Sequence, residues 1–394
     1  MLALYIYFAR NKLKRKYHTL SGIYIHIPFC KKACHYCNFH FSTTHSHKKR
    51  VVGAIIKEIE LRKNYLPSKK IESIYFGGGT PSILNQSELD SIFNEIFKHF
   101  IVAEEAEITL EANPDDLNAA RLIDLKKSPI NRLSIGVQSF RDKDLKWMNR
   151  AHSATEAIES IRNANEIGFN SLSIDLIYGT PNLTKEAWKE NILQAINLGV
   201  NHISSYCLTV EAKTALSNFI EKGKIEPLSE EQASQQFDIL IETLEKHTFE
   251  QYEISNFAKD GKYAVHNTNY WMNKPYLGIG PSAHSFNQTE RSWNIANNLV
   301  YAEAIEKNEL PLEKEVLSIA NKLNEYIMTS LRTKWGCDLE YIENHFGHKY
   351  VDQIEKQAYP HLLKKYLIKH GHTLFVSKEG KFFCDGIASD LFLL

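Results

Sequence analysis

An incomplete parallel βα barrel followed by a small helical, winged-helix-like domain is the fold class this sequence predicts, and three observations predict it. Apolar β-type runs alternate with amphipathic stretches from Gly22 onward; three strands open alike, as INRLSI, FNSLSI and VNHISS; and after about Ser285 long helical segments take over. Such alternation argues for a parallel sheet with helical crossovers. Recurrence at roughly 30–40 residues argues for stacked copies of one unit.

The first strand is GIYIHI, Gly22–Ile27. IESIYFG, AEITLEAN, INRLSIGVQSF, SLSIDLIYGTP and HISSYCLTVE supply five more, so six units are expected. Between Ser153 and Gly168 the helix is explicit. Ser153 and Glu156 form a capping box, Ala157, Ile158, Ile161, Ala164 and Ile167 make the buried stripe, and Gly168 can adopt the left-handed C′ conformation. The next helix starts at Thr184 and ends at Gly199. Beyond residue 285, EKEVLSIANKLNEYIMTSLRT, DLEYIENHFG and VDQIEKQAYPHLLKKYL read as helices, and TLFVSKEGKFFCD as two strand-like runs about a Gly-containing turn. The expected division is therefore an N-terminal extension (1–21), a barrel (22–285) and a C-terminal winged domain (286–394). DNA binding by that domain is disfavoured, because neither its hairpin nor the preceding helix carries a dense basic stripe.

Composition narrows the function classes. The chain has 394 residues, 47 Lys+Arg against 47 Asp+Glu, and 43% hydrophobic residues. A net charge of +0 leaves no overall bias toward nucleic acid or an anionic membrane, so any anion recognition must be local. The leader MLALYIYFARNKLKRKYHTL places its apolar stretch before its basic one, the reverse of a secretory signal, and the stretch is too short to span a bilayer. A cytoplasmic chain is the reading; the leader reads as a non-native or upstream start that extends the true domain, since the first good strand is Gly22–Ile27, with peripheral membrane contact as the alternative. Cys207, Cys337 and Cys384 lie in apolar surroundings and read as reduced thiols rather than a disulfide framework.

The other three cysteines carry chemistry. Cys30, Cys34 and Cys37 fall on the loop after the first strand, at a functional end of a parallel barrel. Thiolates hold iron–sulfur clusters, normally four per [4Fe–4S], so three leave one iron open. A Cys₃His zinc site using His35 or His40 is the competing reading, and three unrelated core cysteines the bland one. YFGGGTP, at Tyr75–Pro81, ends the second strand with glycines that let backbone N–H groups approach a ligand, or simply turn. Glu111, Gln138 and Asp175 lie in or end later strands, and polar groups so placed converge on one pocket.

YIHIPFCKKACHYC, FGGGTPS, LEANPDD, RLSIGVQSF, DLIYGTP and HNTNYW together resemble the radical S-adenosylmethionine (SAM) proteins related to oxygen-independent coproporphyrinogen III oxidase, and among them the HemW-type heme chaperones. The likeness runs from about Gly22 nearly to the C-terminus. It implies a three-quarter barrel in which Cys30, Cys34 and Cys37 hold a [4Fe–4S] cluster, with SAM chelating the fourth iron. Gly78, Gly79 and Thr80 would meet the methionine part, Tyr24 and Tyr36 frame the cluster side, and Glu111, Gln138, Arg150 and Asp175 complete the SAM contacts. An electron donor and a cluster-dependent homodimer are implied too. Oxidases of this family extend the motif by a fourth cysteine where this chain has Phe39, whereas HNTNYW matches the chaperone signature. His266 is then the expected axial ligand to heme, with Tyr270 and Trp271 lining the macrocycle and His284 a further wall. The implied role is a heme chaperone serving acceptor apoproteins, with coproporphyrinogen oxidation as the alternative.

Overall fold

A computed structural model describes residues 20–227 and 229–393. The N-terminal leader and the expectations placed on it lie outside the described residues. Six parallel strands form as expected: β1 (Ser21–Ile27), β2 (Lys70–Gly78), β3 (Ile101–Ala112), β4 (Arg132–Gln138), β5 (Leu172–Tyr178) and β6 (His202–Cys207). The sheet is wider than six units, however. After β7 (Phe249–Glu253) and β8 (Asn256–Lys259), the chain crosses back and lays β9 (Tyr276–Ile279) parallel to β1 on its free side. Antiparallel β10 (His284–Phe286), β11 (Glu290–Asn294) and β12 (Leu312–Val316) then extend that edge. Among the described residues the order is β12-β11-β10-β9-β1-β2-β3-β4-β5-β6-β8-β7, and the two outer strands do not pair with each other. The barrel is open.

The pleat decides what faces where. Ile23, Ile25 and Ile27 on β1 share one buried cluster with Val51, Ile55 and Ile59 of the helix Lys48–Leu61, all at 0% exposure, so the outer layer of the barrel is the apolar core. Tyr24 and His26, the alternate residues, turn to the polar inner face. The capping box at Ser153 forms and Gly168 adopts φ 93°. Thr184 caps the following helix, Lys185–Asn197, by accepting from the Ala187 N–H. Two of the strand-opening asparagines act as stitches. The Asn131 side chain binds the backbone of Ala106 and Ile108, and that of Asn201 binds Asn170 and Leu172, each holding its strand to the preceding one.

Three expectations for the C-terminal part are corrected. The division after residue 285 falls inside β10, and the large sheet runs on to Val316. EKEV is strand rather than helix. Its charged residues suit an exposed edge, and the helix starts only at Ile319, where Ser318 accepts from the Asn321 N–H. The hairpin is built from β14 (Leu367–His370) and β15 (Thr373–Val376), turning at Gly371 with φ 57°, and together with β13 (Cys337–Asp338) it makes a separate three-stranded sheet. KFFCD instead enters a 3₁₀ turn, Lys381–Phe383, and the helix Cys384–Asp390, whose Ile387 and Ala388 are buried in the C-terminal core. With the helices Ile319–Leu331, Leu339–Phe346 and His348–Leu363, this completes a winged-helix-like arrangement. Cys337 and Cys384 are buried free thiols and Cys207 is a half-buried one. No helix of the described residues is long and apolar enough to cross a membrane.

Candidate functional site

A cavity of about 750 Å³ opens at the C-terminal ends of the parallel strands. Cys30, Cys34, Cys37, Tyr36, Gly78, Gly79, Thr80, Glu111, Gln138, Arg150 and Asp175 all line it, so the structure brings together eleven residues spread over 146 positions. Tyr24 lies one layer below, between the His26 and Tyr75 rings.

The cysteine loop is pinned at both ends. Ser42 N–H donates to Pro28 and Cys30 N–H to Ser42, closing its base. His35 N–H donates to the Met148 carbonyl, Asn149 Nδ2 to that of Ala33, and Leu216 N–H to that of His35. Tyr36 packs against a small apolar cluster of Leu145, Met148, Ile177, Leu208 and Leu216. Two side chains reach the sulfurs: Thr80 Oγ1 lies 3.4 Å from Cys30 Sγ, and Arg150 Nη1 3.3 Å from Cys34 Sγ. Arg150 also donates through Nη2 to Asn113 Oδ1 and the Gly136 carbonyl, both at 2.7 Å, while its buried Nε finds no partner among the described residues. Burial alone would depress this guanidinium, but Tyr36 and Cys34 more than offset it, so it stays a cation beside the thiols.

The glycines are required by the protein's own packing. Gly78 has φ 107°, and a Cβ there would stand 2.6 Å from the His26 ring; one at Gly79 would stand 2.7 Å from the Phe29 carbonyl oxygen. Glu111 accepts from Tyr75 Oη at 2.8 Å and from the Gly78 N–H at 3.2 Å. Burial, with the Asp175 charge adding to it, raises Glu111 to about 7. Asp175 is raised to about 6, also by burial, with Arg132 and Arg150 pulling the other way. Burial pushes Cys30 up to about 11 and raises Cys37 as well. Two carboxyls, a fixed cation and three thiols thus surround a recess sized for a ligand of several hundred Å³.

This donor set fits a cluster better than zinc. Among the described residues no three His, Cys, Asp or Glu side chains converge on one point as a mononuclear site. Of the two expected fourth ligands, each has one ring nitrogen hydrogen-bonded, His35 Nδ1 with the Trp147 carbonyl at 2.8 Å and His40 Nε2 with Asn298 Oδ1 at 2.7 Å, and neither joins the three cysteines in a group that could hold a single ion among the described residues. Thiols that surround a space rather than meet at a point suit a body offering each its own iron.

Comparison with known proteins agrees. Residues 24–195 match the model of the Radical SAM superfamily. The chain is 32% identical to the heme chaperone HemW of Bacillus subtilis over 92% of its length and 96% of that protein, and 30% identical to HemW of Lactococcus lactis over 91% and 94%. It belongs to the HemW family of radical SAM proteins. In structure this HemW-family chain resembles the coproporphyrinogen III oxidase HemN of Escherichia coli, with a TM-score of 0.82 over 95% of this chain and 90% of that one; at 22% identity that likeness concerns the fold.

The signature HNTNYW lies outside this cavity. It forms the helix Val265–Trp271, packed behind β2, and its residues do not line the cavity. His266 is 1% exposed, its ring stacked on Tyr75 at 5.2 Å. Its Nδ1 lies 2.9 Å from Ser73 Oγ and its Nε2 2.8 Å from Tyr270 Oη. Burial lowers its pKa to about 3. Both ring nitrogens of His266 are thus hydrogen-bonded in this structure. Trp271 lies 5.2 Å beneath the Arg332 guanidinium, and His284 is exposed on the barrel edge, stacked on Trp293 at 5.8 Å. Sequence reasoning missed Asn113, two residues beyond Glu111 and so on the same strand face, a position the pleat could have supplied. It also missed Arg332, Lys381 and Phe382, which reach the cavity from the C-terminal part without a local signal.

Proposed function

We propose that this chain is a heme chaperone: it binds heme and passes it to acceptor apoproteins, with a [4Fe–4S] cluster and SAM held at the barrel mouth. The observation that carries this is the near full-length similarity to proteins named heme chaperone, at 32% and 30% identity over 96% and 94% of their lengths. Phe39, 68% exposed on the cavity rim where the oxidases place a further cysteine, supports it.

In this reading Cys30, Cys34 and Cys37 give up their protons to hold iron. Arg150 steadies the thiolate of Cys34 and Thr80 that of Cys30. Gly78, Gly79 and Thr80 leave room for the methionine part of SAM, and Glu111, Gln138 and Asp175 receive its polar groups. When bound, a reduced cluster supplies one electron to the SAM sulfonium. Tyr36 and the two carboxyls line this end and would lie against the bound cofactor. The reading calls for a cytoplasmic location, an electron donor, and a homodimer that forms when the cluster is present.

Anaerobically reconstituted protein should take up hemin with a Soret band and transfer it to an apo-hemoprotein, while coproporphyrinogen III with SAM and reductant yields no protoporphyrinogen IX. Sustained turnover without heme transfer would reverse the assignment to oxidase. For His266→Ala, loss of the Ser73 and Tyr270 partners should destabilise the chain by about 1–3 kcal/mol, with an unchanged Soret band. A shifted band at unchanged Tm would instead make His266 an iron ligand and require the helix Val265–Trp271 to open.

A further inference from the structure

The cavity has a second chemical end. Cys30, Cys34 and Cys37 follow the interior strand β1, whereas Gln251 lies on the edge strand β7 and Lys381 in the 3₁₀ turn Lys381–Phe383 of the C-terminal part. There the cavity is walled by Phe237, Ile254, Arg332, Lys381, Phe382 and Asp385. Phe237 and Phe382 sit with ring centroids 6.0 Å apart, and Phe382 keeps 37% of its surface exposed. The wall is aromatic and apolar, with two cations in it.

Those cations differ. Arg332 is neutralised from both sides: Nε and Nη2 bind Glu253 Oε1 at 3.0 and 2.8 Å, and Nη1 binds Asp385. Lys381 is not. Its Nζ donates to the neutral Gln251 amide oxygen at 2.6 Å, and among the described residues no carboxylate lies within ion-pair distance of it. Glu245 attracts it and Lys378 repels it from farther away. A half-buried ammonium with only an amide partner keeps much of its desolvation cost and has donors to spare for an anion. None of the SAM contacts argued above requires it.

We propose that Lys381 is the anion-recognising residue of a heme-binding subsite at this end of the cavity, pairing with a propionate carboxylate while the exposed ring of Phe382, backed by the buried Phe237, carries the apolar macrocycle. This rests on the heme reading. The C-terminal part thereby becomes one wall of the ligand site, and the cation is offered where an acidic side chain has not already claimed it. Charge-assisted pairing at a partly desolvated site is worth enough to be read in affinity.

The test compares hemin with hemin dimethyl ester, titrated by absorbance into the full-length, cluster-reconstituted protein and into its Lys381→Gln and Lys381→Arg variants. SAM binding and Tm of each variant check that the barrel is intact. Hemin should bind Lys381→Gln about tenfold more weakly than wild type, as expected for loss of a hydrogen bond to a charged group, and Lys381→Arg should recover most of this. Esterification should cost wild type a similar factor and cost Lys381→Gln little more. Equal binding of hemin and its ester by wild type overturns the proposal without any substitution, and so does a wild-type hemin affinity in folded Lys381→Gln. If wild type binds no hemin at all, the heme reading itself falls and takes the subsite with it.

Discussion

Glu111 and Asp175 hold their protons to about 7 and about 6 because burial costs each carboxylate its hydration. In the ligand-free chain both folded values lie above the unfolded ones, so the stability these groups contribute is present at low pH. It is lost as pH rises through roughly 4 to 7. A cationic ligand reverses the balance, since an ammonium or sulfonium prefers the ionised carboxylates. SAM affinity should therefore rise with pH over the same window. Glu111→Gln should weaken SAM binding about ten- to a hundredfold, the ~1.5–3 kcal/mol of a hydrogen bond to a charged group. It should also narrow the gap in ligand-free Tm between pH 5 and pH 8. Titrations and melts at the two pH values check both outcomes. Glu111 and Asp175 were legible as residues because strand-end polar groups are unusual in an apolar run; their pKa values were not, since these depend on burial by distant strands.

At the scale of elements, the loop after β1 and the glycine end of β2 form one unit, because Gly79 N–H donates to the Ile27 carbonyl and its missing Cβ is filled by Phe29 backbone. Gly79→Ala should push Phe29, and with it Cys30, out of place. The expected result is a barrel of nearly normal circular dichroism that fails to retain iron, measured as lost cluster absorbance near 400 nm; full iron loading would show that the loop adapts. The helix at Ser153 could be read to the residue, since capping box and C′ glycine are local devices. EKEV and KFFCD misled for the complementary reason. Whether a charged run lies on a sheet edge, or an aromatic one enters a helix, is settled by neighbours far away in sequence.

The whole molecule shows the same division between local and distant information. Six βα units and the cysteine, glycine and carboxyl positions were visible because each βα unit writes its own period and each motif is contiguous. The return of β9 to the free side of β1, the antiparallel extension to β12 and the C-terminal wall around Lys381 come from chain crossings that leave no periodic trace. His266 was legible as a signature residue but not as a buried one, because its seal is made by Ser73, 193 residues earlier, as well as by Tyr270 within its own helix. What unites these levels is one claim: three thiols leave an iron corner that SAM completes. The most direct measurement is low-temperature EPR of the anaerobically reconstituted, dithionite-reduced chain with and without SAM. A [4Fe–4S]⁺ signal whose g-values change on adding SAM, and which is lost in Cys34→Ala, is the result predicted; a signal indifferent to SAM, or protein that retains zinc and no iron, would contradict the account.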